Sequence, residues 1–145
     1  MPVPHDVMDS IGPAIAALIF VLLMSRVPEP LRRRVNGAAV MGASGLYVSG
    51  GGFGVWELAY AAVAAFIGYR ALTSYRFIAI GWWLHAAWDL VHHFWGNPLW
   101  SFMPTSSWGC VIFDSLIAIW LIRQPQSASQ AGQVVRRSSS AAGPS

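Results

Sequence analysis

The chain has 145 residues, of which 55% are hydrophobic and only 10% charged, with a mean hydropathy of +0.49. A soluble domain carries roughly 25% charged residues, so this composition excludes an ordinary water-soluble fold. All nine basic residues are Arg and Cys110 is the sole cysteine, which excludes lysine Schiff-base chemistry, a phosphate-binding loop with its Lys, an internal disulfide and a cysteine-rich metal site.

Several apolar runs approach the about 20 residues needed to cross a bilayer, and no strand-like alternation suggests a barrel. The fold class read from the sequence is therefore all-α, a polytopic membrane bundle of about five transmembrane helices. The first span is residues 11–27, preceded by Asp9 and Ser10 as capping residues and closed by Pro28-Glu29-Pro30. No Lys or Arg precedes it, unlike a cleaved signal peptide, so residues 1–10 form a short outer segment and the helix is retained. The apolar stretch from Val35 to Tyr69 is broken by the glycine cluster around Gly50-Gly51-Gly52, giving spans at about 35–49 and 54–69. A fourth span covers about 77–96 and stops at Asn97-Pro98; a fifth covers about 108–122, after a Thr105-Ser106-Ser107 cap.

Charge supports five spans over four. Arg26, Arg32, Arg33, Arg34, Arg70, Arg76, Arg123, Arg136 and Arg137 then all fall on one side, which the positive-inside rule makes cytoplasmic. The N-terminus lies outside and the C-terminus in the cytoplasm. Reading 35–69 as one helix would instead put Arg34 and Arg70 in opposite compartments. The basic pI of 9.6 follows from this topology and from contact with the lipid bilayer, with no need for nucleic acid as a partner. The bundle ends at 123, and residues 124–145, rich in Ser, Ala, Gln and Gly, are expected to be a disordered cytoplasmic tail. On the second span Ala38, Gly42, Gly45 and Ser49 share a face, which serves either intrachain packing or a homo-oligomer contact.

The chemistry concentrates on the fourth span. His85, Asp89, His92 and His93 fall within roughly a 100° arc, so one face of this helix is ionisable. The third span adds Glu57 and the fifth adds Asp114, one turn after Cys110 on the same face. Counted from the outer helix ends, these groups lie about 5 to 18 Å deep. A carboxylate at mid-bilayer costs on the order of 3 kcal/mol, so such groups face the bundle interior and pair.

Three readings stay open. The first is a metal site for zinc, iron or manganese, with Asp89, His92, His93 and His85 as candidate ligands and Glu57 and Asp114 as candidate general bases of an enzyme acting on an apolar substrate. Asp89 with His92 or His93 is its core pair, and Asp89-x-x-His92 resembles half of the carboxylate-x-x-His motif of di-metal bundles. The second is proton or ion handling by a transporter subunit, with the same residues as a relay. The third is hydrogen bonding that only holds the helices together. Trp56, Trp95, Trp100 and Trp108 form an outer aromatic belt, and the uncharged loop 97–107 suits a short lid over the cluster.

The combination of Val27-Pro28-Glu29-Pro30 with Arg32-Arg33-Arg34, Trp56-Glu57-Leu58, Trp88-Asp89-Leu90-Val91-His92-His93, Gly96-Asn97-Pro98, Met103-Pro104-Thr105-Ser106-Ser107 and Phe113-Asp114 resembles an uncharacterised bacterial family of small multi-pass membrane proteins, a domain of unknown function. That resemblance covers about residues 11–122. It implies the bacterial cytoplasmic (inner) membrane and carries no activity, cofactor or catalytic assignment.

Overall fold

In a computed structural model that describes residues 6–124, the chain forms five helices and no strand among those residues: α1 Met8–Ser25, α2 Leu31–Ala43, α3 Val55–Ala71, α4 Tyr75–Trp95 and α5 Ser106–Ile122. The expected tail lies outside the described residues, apart from Gln124. Helix α4 is the hub. It packs most extensively on α5 and also contacts α3 and α2, while α1 lies against α5 and α2 against α3.

The breaks fall at the Pro28-Glu29-Pro30 turn, the glycine cluster and Asn97-Pro98, but several boundaries differ from the expectation. Asp9 and Ser10 lie inside α1. Asp6 answers its first turn instead, accepting from the backbone N–H groups of Met8 at 2.8 Å and Asp9 at 3.0 Å. Asp9 turns to the fifth helix, accepting from Thr105 Oγ1 at 2.9 Å, so Thr105 ties α1 to α5 rather than capping α5.

The largest shift is in α2, expected at 35–49. It starts at Leu31 because Arg32, Arg33 and Arg34 are good helix formers although they do not read as membrane span. It ends at Ala43, after which the chain winds through residues 44–50 by i to i+3 bonds, among them Gly45 N to Gly42 O, Leu46 N to Ala43 O and Gly50 N to Tyr47 O. That tighter winding turns Tyr47 into the bundle.

Ala38, Gly42, Gly45 and Ser49 are all exposed. The intrachain face of α2 is instead Asn36, Gly37, Val40 and Ala43. Here glycine permits close approach: a Cβ at Gly37 would sit 3.0 Å from the backbone of Ala71 and Leu72, and one at Gly68 would sit 2.8 Å from Met41 Cβ.

The interior is divided by polarity. Toward the N-terminal end of α4 and the C-terminal end of α5, Ala71, Ile78, Ala79, Ile117, Ala118 and Leu121 form an apolar core with no appreciable exposure. At that end lie all seven described arginines, Arg26, Arg32, Arg33, Arg34, Arg70, Arg76 and Arg123. Arg32 Nε reaches Glu29 Oε1 at 3.1 Å and Tyr75 Oη at 2.9 Å, and Tyr75 in turn donates to Glu29. Burial, followed by that bond to Glu29, pushes the Tyr75 phenol above its ordinary pKa. Toward the opposite end the interior is polar, burying Glu57, His85, Asp89, His92, Ser107 and Asp114.

The outer surface is apolar. Ile15, Leu18, Leu22 and Leu23 of α1 and Val63 and Phe66 of α3 are more than half exposed, and Ala17 is the only buried residue of α1. Among the described helices, α1 alone is both long and apolar enough to cross a membrane, and α5 is apolar but shorter.

Candidate functional site

The centre of the polar half is a meeting of α4 and α5. His85 and Asp89 stand one turn apart on α4 and face Asp114 of α5, and one ligand atom from each lies within 4.8 Å of the other two. His85 Nε2 is 4.0 Å from Asp114 Oδ2. All three side chains are buried, Asp89 completely. Neither Asp89 Oδ2 nor Asp114 Oδ2 receives a hydrogen bond from an N–H or O–H donor among the described residues. Two buried carboxyl groups within hydrogen-bonding reach of each other demand a positive partner, a shared proton or a metal ion.

The ligands are held from behind. Tyr47 Oη donates to Asp89 Oδ1 at 2.6 Å and lies 2.9 Å from Ser107 Oγ. Leu99 N–H can only donate, and it reaches Ser107 Oγ at 3.1 Å. The proton order is therefore determined: Leu99 N–H to Ser107, Ser107 O–H to Tyr47, Tyr47 O–H to Asp89. On the other side Tyr60 Oη meets His85 Nδ1 at 2.8 Å. When Nδ1 carries the proton and Tyr60 accepts it, the Nε2 lone pair faces the two carboxylates, the tautomer a metal ligand requires.

His92 and Glu57 form a second, separate pair. His92 Nδ1 lies 2.9 Å from the Trp88 carbonyl, which only accepts, so Nδ1 is protonated and a further proton is shared between Nε2 and Glu57 Oε1 at 2.9 Å. Glu57 also accepts from Trp88 Nε1 at 3.1 Å and Phe53 N at 3.3 Å. Both nitrogens of His92 are thus engaged, and it does not join the ion-sized cluster. The Tyr47 ring lies between the two pairs, stacked on His92 with centroids 3.7 Å apart and 6.3 Å from His85.

His93 is buried against Phe94 and Trp108 and borders, together with His92, a cavity of about 190 Å³ that Pro98 and Pro104 also line. The structure therefore brings together three of the six sequence candidates, His85, Asp89 and Asp114, with Asp114 as a ligand-distance neighbour. It pairs Glu57 with His92, and His93 borders a cavity together with His92.

Tyr47 and Tyr60 carry no sequence signal for chemistry, and Ser107, which the sequence offers as a helix cap or at most a nucleophile, lies inside α5 and holds Tyr47 instead. The roles of all three come from contacts across the bundle.

The glycine segment covers the second pair. A Cβ at Gly51 would collide with Glu57 Oε1 and come within 2.5 Å of His92 Nε2, so no larger residue fits beside this pair. Gly52 has φ +99°, a left-handed conformation that favours glycine. Asn97 stitches the segment down, its backbone N–H donating to Gly51 O at 2.9 Å and its Nδ2 to Gly50 O at 2.8 Å. Beside the stitch opens a cleft of about 390 Å³ bordered by Leu46, Tyr47, Ser49, Pro98 and Ser101.

Residues 8–127 match a family of unknown function, DUF6010. The chain belongs to that family. This agrees with the expectation of a domain of unknown function. No curated protein and no solved structure matches the chain.

Proposed function

We propose that this family member is a multi-pass protein of the bacterial inner membrane that holds a divalent metal ion on His85, Asp89 and Asp114 and acts as an enzyme on an apolar substrate. The carrying observation is the buried convergence of these three ligand atoms within 4.8 Å, with Asp89 Oδ2 and Asp114 Oδ2 receiving no donor. One imidazole and two carboxylates suit zinc, iron or manganese and leave coordination positions open. A metal there would supply an acidified water or, as iron, activate oxygen. The chain's own contribution is orientation: Tyr47 fixes Asp89, Tyr60 fixes His85, and the Glu57–His92 pair lies one aromatic ring away as an acid–base reserve.

Two observations support the membrane placement. Large apolar side chains such as Leu18, Leu22, Val63 and Phe66 are exposed where a soluble protein would carry polar groups. All described arginines gather at one end, the pattern of a cytoplasmic face. With that end inside, the three-residue cluster and the Glu57–His92 pair both lie toward the outer half.

Elemental analysis of detergent-purified protein tests the metal. About one ion per chain is expected in the parent and in Gly42→Ala, and is lost by more than about ten-fold in Asp89→Asn and Asp114→Asn. A folded parent that stays ion-free after supplementation with zinc, iron and manganese would sink this reading.

A second reading rests on the hydroxyl chain Ser107, Tyr47, Asp89, in which Tyr47 itself borders the cleft and donates to the carboxylate. It is the geometry of a proton path, and it predicts proton flux in liposomes that Tyr47→Phe abolishes.

A further inference from the structure

Between α1 and α5 the bundle is not filled. Gly12, Pro13 and Ala16 of α1 face Gly109, Cys110 and Phe113 of α5 across a cavity of about 410 Å³, in the size range of small-molecule sites. Its lining is overwhelmingly apolar, and Met103 and Trp100 close it from the loop before α5. Small residues create the space: a Cβ at Gly12 would meet nothing within 4 Å. Its inner wall includes Cys110, which precedes Asp114 by one helical turn, so the cavity ends beside the α5 carboxylate of the His85–Asp89–Asp114 cluster.

The charge at its mouth selects the occupant. The polar groups there are Asp9, Thr105 and Ser106, with Asp9 accepting from Thr105. No arginine borders the cavity, because all the described ones are at the far end of the helices. A carboxylate or phosphate head would meet the Asp9 carboxylate with no cation to offset it, whereas a hydroxyl head can donate to Asp9 and an ester carbonyl can accept from the Ser106 hydroxyl, the Thr105 hydroxyl already being given to Asp9.

We infer that this cavity binds one hydrocarbon chain of a single-chain, uncharged lipid, with a head-group hydroxyl at Asp9 and an ester carbonyl at Ser106. It enters sideways between α1 and α5, and it is the apolar substrate of the metal site. This rests on the membrane and metal reading above.

The test is photolabelling in phosphatidylethanolamine and phosphatidylglycerol vesicles, using a diazirine-bearing monoacylglycerol and the corresponding diazirine-bearing fatty acid, with metal content measured on the same samples. The monoacylglycerol is expected to label the peptides carrying Gly12, Met103 and Phe113 about ten-fold more than the fatty acid does, a difference of about 1.4 kcal/mol. Gly12→Phe fills the cavity and removes that labelling with the metal retained, while Gly42→Phe, at an equally open position on α2, leaves it unchanged. Equal labelling by the two probes, labels spread over all exposed helix faces, or labelling indifferent to Gly12→Phe would each overturn the inference. A metal-loaded parent without cavity labelling overturns the lipid site and leaves the metal reading standing. An ion-free parent that still labels there does the reverse.

Discussion

The two halves of the bundle are built on opposite terms. At the arginine end Ile78, Ile117 and Leu121 are fully buried and pack against Ala71, Ala79 and Ala118, a core whose stability comes from burial and close packing. At the other end the same two helices, α4 and α5, bury His85, Asp89, Ser107 and Asp114. A carboxylate inside a membrane costs on the order of 3 kcal/mol before pairing, and replacing buried charges by apolar residues of similar size is often neutral or stabilising. One half holds the fold by packing, and the other carries an energetic cost that its hydrogen bonds to Tyr47 and Tyr60 offset in part and that the proposed ion would offset further.

The largest effect should come from the apolar half. Ile117→Ala is expected to destabilise by about 2–5 kcal/mol in reversible unfolding from detergent, while the protein that remains folded keeps its metal. Equal loss from Asp114→Asn would erase the distinction between the halves. Next comes Tyr47→Phe, which removes the donor to Asp89 Oδ1 and should weaken metal binding about 10- to 100-fold in a competition titration with little change in unfolding. Gly51→Ala forces a methyl into the Glu57–His92 pair and should cost about 1–3 kcal/mol, read from the same unfolding curves. The smallest change is Gly42→Ala. The site is open and exposed on α2, so a gain of up to about 1 kcal/mol is expected, and a loss would reveal a contact made by that face outside this chain.

The division into helices was legible because its punctuation is local. Pro28-Glu29-Pro30, the glycine cluster and Asn97-Pro98 interrupt helices through their own backbone preferences. The start of α2 was not, since three arginines read as loop when apolar runs define spans. The individual members of the site were also legible, because an ionisable residue in an apolar run stands out. Their grouping was not. His85, Asp89, His92 and His93 share one face of α4, and only the packing of α3 and α5 decides that His92 meets Glu57 while Asp89 meets Asp114. Tyr47 was hidden for the same reason, since its place depends on tight i to i+3 turns after Ala43 that carry its ring between two histidines.

The Asn97 stitch bears on how the polar half exchanges with its surroundings. Its two hydrogen bonds join one loop to another, Gly50 and Gly51 on one side and the turn after α4 on the other. Each such bond contributes about 0.5–1.5 kcal/mol net. Lifting Gly50 and Gly51 breaks those two bonds and separates no pair of helices, while Phe53 still anchors the end of the segment through its N–H to Glu57 and its ring on His92. On the proposed reading, a small ion or a proton would reach the polar half past this loop-to-loop fastening, with no helix–helix contact to break.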